Sequence, residues 1–162
     1  MGSADSADVG SEAVKRLVDR ARLMDVRALS LKGEVDLSAS DDTASTSSEE
    51  GLPVAFEASV GVRDDGRGLL ATLACGLRAP ADGAPAPVEM SVTMAAFYEL
   101  SDWGPEPPSQ DVLREFADKA ALYHLLPFVR EGIVDLAARL RVPAPILPLH
   151  PRDLGPAEQN EE

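Results

Sequence analysis

The side chains that most often perform chemistry are few in this sequence and lie far apart. There is one cysteine, Cys75, and there are two histidines, His124 and His150. The histidines do not have the spacing of a zinc protease, and neither a glycine-rich phosphate loop nor a Gly-x-Ser-x-Gly motif is present. A structural zinc ion usually takes four Cys or His ligands. The sequence therefore predicts no metal, no cofactor and no enzyme.

The remaining candidates for catalysis do not indicate an enzyme either. Adjacent carboxylates occur only in predicted turns, loops and the tail, namely Asp41-Asp42, Glu49-Glu50, Asp64-Asp65 and Glu161-Glu162. Acid–base catalysis needs carboxyl groups held in a fixed geometry, which such segments do not supply. Cys75 lies on the apolar face of a predicted strand, where a free thiol is usually an inert packing group.

Composition excludes two classes of partner. The chain has 162 residues with 15 basic and 28 acidic side chains, a net charge of −13 and 44 % apolar residues. Its basic residues are scattered, so we expect no binding to nucleic acid or to anionic lipid. The sequence has no apolar run of about 18 residues, and its single cysteine excludes an internal disulfide. We therefore expect a soluble, cytoplasmic chain.

The chain divides into one domain with polar extensions. Residues 1–10 and 151–162 are predicted to be disordered, and residues 11–150 form the domain, in which loop 38–51 is flexible. Inside the domain, an amphipathic helix is predicted over residues 11–24, with Ser11 as its cap and Val14, Leu17 and Val18 on one face.

Four segments alternate apolar and polar residues, as strands with one buried face do: 29–37, 54–62, 69–77 and 88–100. The short connections predict an antiparallel sheet. Between the second and third strands, Gly66 and Gly68 are expected to supply the positive φ of a hairpin turn. Gly33 falls on an apolar strand face and indicates a bulge or a close approach.

Helices follow the strands and provide a cover for one face of the sheet. A helix capped by Ser109 has an apolar stripe that reaches Tyr123, and Pro127 is predicted to break it and to start a second helix ending near Leu140. The predicted fold is an α+β domain: a four-stranded antiparallel sheet with helices packed on one face, plus the N-terminal amphipathic helix.

Two apolar features are not required for the folding of such a domain. The face away from the helices carries Leu70, Ala95 and Phe97, which predicts an oligomer interface. The Pro-rich apolar segment 142–151 follows the helices that contain Tyr123, Leu126 and Phe128. That segment either lines a groove for extended apolar peptides or straps the core.

The stretch Leu125 to Leu149 resembles the C-terminal signature of the SecB export-chaperone family. The end of the fourth strand, residues 95–98, is similar to a Gly-Gly-Ile-Phe segment of that family. Together with the order of strands and helices, the resemblance covers about residues 25 to 150. Positions that match the signature are Pro127, Phe128, Arg130, Glu131, Ile133, Arg139, Pro143 and Leu147.

The resemblance implies an ATP-independent holdase that binds unfolded polypeptides, assembled as a homotetramer from two dimers. Its client groove is expected to be lined by some of Leu31, Phe56, Trp103, Leu122, Tyr123, Leu126, Phe128, Ile146 and Leu147.

The resemblance also implies an acidic sheet face that docks SecA, here formed by Glu34, Asp36, Glu89 and Glu99. Ser91 replaces an acidic residue of export proteins, and the N-terminal helix is an addition to them. Both departures favour the branch whose client is a specific antitoxin. The alternative from the residues is a non-enzymatic adaptor that binds one partner through the acidic face.

Overall fold

A computed structural model describes residues 5–35, 54–80 and 87–147 of the chain. The predicted flexible loop 38–51, the predicted tail 151–162 and Asp36 lie outside these ranges. The secondary structure elements, in chain order, are α1 (Asp5–Arg20), β1 (Ala21–Val35), β2 (Val54–Val62), β3 (Gly68–Pro80), β4 (Pro87–Leu100), α2 (Gln110–Phe116), a π-helical turn (Ala117–Ala121) and α3 (Leu122–Leu140).

The four strands form one antiparallel sheet in the order β1-β4-β3-β2. On β3 and β4 every second residue is buried beneath the helices, as the alternation predicted. The core consists of these side chains and the apolar stripe of α3, including Leu73, Val92, Tyr98, Val129 and Ile133. The predicted α+β fold with helices on one face is therefore confirmed.

The first two elements begin earlier than the sequence predicted. Helix α1 starts at Asp5, within the segment predicted to be disordered, and ends at Arg20. Strand β1 then starts at Ala21 and pairs with β4 along its whole length. Two register shifts interrupt that pairing, between Leu23 and Asp25 and between Ala28 and Ser30. Each shift breaks the two-residue alternation, which is why only residues 29–37 were predicted as a strand.

Pro127 does not break the helix as predicted. It lies inside α3, which follows α2 and the π-helical turn without interruption. Because the buried stripe around Pro127 packs against the sheet, tertiary contacts hold this segment helical despite the missing N–H group. The hydrogen-bond register instead changes ahead of the proline, at Ala117–Ala121. The cap prediction is confirmed, since the Val112 N–H donates to the Ser109 hydroxyl at 3.4 Å.

The hairpin between β2 and β3 uses its two glycines differently. Gly66 has the expected positive φ, 66°. Gly68 does not, and its role is a close approach: a Cβ there would lie 2.4 Å from the Tyr98 carbonyl oxygen. Gly33 also marks a close approach, since a Cβ there would lie 2.7 Å from a methyl carbon of Leu140.

Candidate functional site

Exposed apolar side chains line the helix side of edge strand β1. In the register with β4, Leu23, Leu31 and Val35 stand opposite Tyr98, Val92 and Val88, which are buried on the helix side. These three side chains are nonetheless exposed, with Leu31 at 46 %. We call Leu23, Leu31 and Val35, together with Phe128 of α3, the apolar strip.

The position of α3 leaves this strip uncovered. Gly132 brings the helix close to the sheet, since a Cβ there would lie 3.0 Å from Val92 and 3.2 Å from Leu31. Phe128 lies about one turn before Gly132, so it projects from the same side of α3, toward β1. Its side chain is 41 % exposed. The helix therefore covers β4 and borders β1 without burying it.

The strip is long and lies beside an open strand edge. From Leu23 to Val35 the strand spans about 40 Å at ~3.3 Å per residue. Among the described strands, β1 pairs only with β4, so its outer edge has no strand partner. The N–H and C=O groups of that edge can pair with an added extended chain. Groups for backbone pairing and for apolar contact thus lie side by side along β1 from Leu23 to Val35.

The structure brings together only some of the residues predicted for the client groove. Leu31 and Phe128 are in the apolar strip. Tyr123 is exposed on a different side of α3, on the same helical stripe as Val134. Phe56 is half-buried on β2, at the opposite edge of the sheet. Ile146 is 99 % exposed beyond the end of α3.

Three predicted groove residues, Leu122, Leu126 and Leu147, are buried in the core. They correct the sequence-based groove, because a side chain enclosed by the core has no free surface for a client. Leu147 is the last described residue of the Pro-rich segment. Its burial agrees with the alternative in which this segment straps the core. The groove predicted from the sequence does not include Leu23 or Val35. The alternating run of β1 contained Val35, but the bulges concealed the phase of Leu23.

Trp103, the remaining residue predicted for the client groove, holds α1 in place. Arg16 donates from Nη2 to the Trp103 carbonyl oxygen at 2.8 Å, and its guanidinium carbon lies 4.8 Å from the indole centroid. Val14 and Leu17 of the same helix are buried, and Arg20 pairs with Asp102 at 3.4 Å. Because these contacts use the backbone oxygen and the ring of Trp103, the residue belongs to the docking of α1.

Replacing Arg16 with alanine is expected to loosen α1. The substitution removes a cation–π contact and a charge-assisted hydrogen bond, which together predict a loss of about 1–2 kcal/mol in the free energy of unfolding. Trp103 is the only tryptophan in the chain, so its fluorescence reports on this contact alone. We expect a red-shifted emission and a lower urea midpoint. Lys15→Ala, on the same helix, is the control, and equal spectra for the two variants would contradict this docking.

Two of the three described residues of the predicted acidic face form ion pairs. Glu34 lies 3.1 Å from Lys32, and Glu89 lies 3.6 Å from Arg78. Glu99 is exposed and stands opposite Arg22 in the register. Leu70, Ala95 and Phe97, which were predicted as an oligomer interface, lie on the same side of the sheet as these acidic residues. Leu70 and Phe97 are direct neighbours there. Ala95 is fully buried there by its surroundings, so it offers no contact area of its own.

Two titratable groups, the Cys75 thiol and the Tyr98 hydroxyl, lie in the apolar core. Burial raises the pKa of the Cys75 thiol to about 11 and the pKa of the Tyr98 hydroxyl to about 12. The Tyr98 hydroxyl lies 2.8 Å from His124 Nδ1, within hydrogen-bond distance. In the described ranges, no three His, Cys, Asp or Glu side chains cluster as metal ligands. No helix in those ranges is long and apolar enough to cross a membrane.

The fold defined by this sheet and its helical layer is that of the SecB-like chaperones. The solved structure of the Mycobacterium tuberculosis SecB-like chaperone Rv1957, in complex with a ChAD peptide from the Rv1956 HigA1 antitoxin, is similar to it with a TM-score of 0.65. The alignment has 22 % identity and covers 91 % of this chain and 99 % of that one.

A second solved structure, of a protein of unknown function from Streptococcus agalactiae, aligns with a TM-score of 0.40 and 13 % identity, over 80 % of this chain and 97 % of the other. No protein-family model matches the sequence. No curated protein matches it either. The fold predicted from the resemblance is confirmed by the first of these structures.

Proposed function

We propose that this protein is an ATP-independent chaperone that holds non-native polypeptide segments on the apolar strip. The observation that carries the proposal is the exposure of Leu23, Leu31, Val35 and Phe128 beside the open edge of β1. A soluble domain that keeps such a surface exposed needs a partner for it, because a long apolar edge strand otherwise promotes aggregation.

The strip selects clients by their general chemistry. Apolar contact is proportional to the area removed from water and has no fixed direction, so many sequences can occupy the same surface. The edge of β1 adds backbone hydrogen bonds, which depend on an extended conformation and not on side-chain identity. The preferred client is therefore an extended segment with apolar residues at alternate positions.

The antitoxin of a toxin–antitoxin pair is the client class that we favour over exported proteins. The M. tuberculosis chaperone with the same fold is described in complex with an antitoxin peptide. SecA docking, which the family resemblance implied, requires an acidic surface. Two of the three described residues of that surface, Glu34 and Glu89, are paired with basic neighbours, which weakens the case for a basic partner. Assembly into a homotetramer made of two dimers is part of the same proposal.

The proposal is tested by measuring whether the protein keeps an unfolded client from aggregating. We expect a several-fold molar excess of the protein to slow the aggregation of a chemically denatured client, measured by light scattering, with no nucleotide added. A fluorescein-labelled, reduced and carboxymethylated polypeptide should bind with an anisotropy change that persists in high salt, because apolar contact is not screened.

The antitoxin assignment has its own readout. A peptide from an antitoxin encoded next to this gene should bind more tightly than the carboxymethylated polypeptide. Unchanged aggregation at all molar ratios contradicts the holdase. Normal holdase activity with equal affinity for both ligands contradicts only the antitoxin assignment.

A further inference from the structure

The hydrogen bonds at the end of β4 fix the direction of the backbone groups in the sheet. On the β3 side, the Leu100 N–H donates to the Arg67 carbonyl at 2.8 Å. On the β1 side, the Ser101 N–H donates to the Arg20 carbonyl at 3.3 Å. Residue pairs of an antiparallel ladder alternate between bonded and non-bonded. The odd-numbered residues of β4 therefore bond to β1, and the even-numbered ones bond to β3.

Along the last part of β1, the outward backbone groups belong to residues whose side chains face the helices. The residues that the register places opposite odd-numbered residues of β4 are Ser30, Lys32 and Glu34. Their N–H and C=O groups are used inside the sheet. Leu31, Gly33 and Val35 alternate with them, so their N–H and C=O groups point to the outer edge. No described strand pairs with β1 on that side.

Two bulges divide the outer edge of β1 into sections. The pairing with β4 shifts by one residue at Met24 and again at Leu29. Each inserted residue puts the outward N–H and C=O groups on its two sides out of step, so a regular strand cannot pair across it. The uninterrupted sections are 21–23, 25–28 and 30–35. Only the last of them has three outward-pointing residues at regular alternate positions.

The helix side of section 30–35 is apolar, and its other side is charged. Two of its three outward-pointing residues have exposed side chains, Leu31 and Val35. Between them, Leu140 of α3 lies over Gly33, since a Cβ on Gly33 would lie 2.7 Å from a Leu140 methyl carbon. The opposite side of the section carries the Lys32–Glu34 ion pair. An extended segment beside this section is therefore matched best when its apolar and polar residues alternate.

We propose that a client joins the sheet as a short antiparallel strand that pairs with β1 only at Leu31, Gly33 and Val35. This pairing rests on the proposed chaperone function and defines its client class, a segment with three apolar residues at alternate positions. In an antiparallel bonded pair, opposite side chains lie on the same side of the sheet. Each client residue that exchanges hydrogen bonds with β1 therefore also turns its side chain toward α3. Beyond the bulge at Leu29, the client contacts the apolar strip through side chains alone.

Proline substitutions locate the pairing on β1. Proline lacks an N–H group and is tolerated on edge strands. Val35→Pro removes an outward N–H from section 30–35, whereas Ala28→Pro removes one from the section before the bulge. We expect Val35→Pro to bind a client peptide about fivefold or more weakly and Ala28→Pro to bind it like the wild type. Equal affinities of the two variants contradict a limit set by the bulges.

Backbone methylation of the client tests the pairing on the unaltered full chain. The probe is a fluorescein-labelled peptide in which isoleucine, phenylalanine and isoleucine alternate with threonine, lysine and serine. N-methylation of the three apolar residues removes the N–H groups that would donate to β1. N-methylation of the three polar residues is the matched control, because those N–H groups would point to solvent. Fluorescence anisotropy gives the dissociation constants.

We expect methylation of the apolar residues to weaken binding about tenfold or more, and methylation of the polar residues to change it less than about twofold. A loss confined to the polar set overturns antiparallel pairing, because a parallel strand would bond through those residues. Equal affinities of the two methylated peptides, or no binding of the unmodified one, overturn strand pairing altogether. The chaperone function then stands if the protein still slows the aggregation of a denatured client, and fails with the pairing if it does not.

Discussion

Phe128→Asp is expected to weaken the binding of an unfolded client by about tenfold to a hundredfold. Burying a phenylalanine side chain is worth about 1.5–3 kcal/mol, and 1.4 kcal/mol corresponds to a factor of ten in affinity. The aspartate also carries a charge into an apolar contact, which adds a desolvation cost. The measurement is the dissociation constant of the labelled, carboxymethylated polypeptide, obtained from fluorescence anisotropy.

The structure supplies a matched control on the same helix. Val134 is 51 % exposed, but it projects from a different side of α3 than Phe128. Val134→Asp therefore introduces the same charge at similar exposure without touching the apolar strip. Both variants should keep the unfolding midpoint of the wild type, because neither side chain is buried. Equal losses of affinity in the two variants would show that charge on α3, and not the strip, governs binding.

Leu31 tests whether the strip acts as one surface. It faces the helix side of β1 near Gly132, one turn from Phe128 along α3. If one client segment contacts both side chains, Leu31→Asp combined with Phe128→Asp should lose less affinity than the sum of the two single losses. Strictly additive losses would indicate two separate client sites.

The fold could be predicted from the sequence wherever a period was uninterrupted. Strands β2, β3 and β4 keep a strict two-residue alternation, and their predicted bounds agree closely with the structure. Strand β1 contains two bulges, each of which inserts a residue and reverses the phase. A pattern read along one phase therefore loses residues 21–28, and with them Leu23.

The helices show a second limit of sequence patterns. A proline inside a helical stripe normally ends the helix, and local propensity offers no sign that Pro127 is an exception. The packing of α3 on the sheet overrides that preference. The same stripe misled the prediction of the site. Leu122 and Leu126 belong to its buried half, whereas Phe128 lies outside that half and is exposed.

The candidate site depends on a relation that periodicity does not encode. Whether an apolar side chain of β1 is buried depends on how closely α3 approaches the sheet, and Gly132 sets that approach. The sequence indicates that Leu31 faces the helices, but not that α3 touches it at Gly132 and still leaves it half-exposed. For this reason the strip follows from the packing of two elements distant in the chain.

Gly68→Ala is expected to cost about 2–4 kcal/mol in the free energy of unfolding. The added Cβ would lie 2.4 Å from the Tyr98 carbonyl oxygen, and a backbone atom in a central strand has no alternative rotamer. Relief requires β3 to move away from β4 at the point where the Leu100 N–H donates to the Arg67 carbonyl at 2.8 Å. Overpacking that displaces backbone lies at or above the usual range of about 1–3 kcal/mol. The measurement is the urea midpoint at a fixed protein concentration, which keeps self-association constant.

Gly61→Ala is the matched control, since it adds the same methyl group to the other strand of this hairpin with no atom within 4 Å. Replacing glycine where alanine fits restricts the unfolded chain, so the control should gain about 0.4–1 kcal/mol. The pair of variants therefore moves the midpoint in opposite directions. A native-like midpoint for Gly68→Ala would mean that β3 and β4 are farther apart at the hairpin than the structure places them. The close approach would then not explain why glycine occupies position 68.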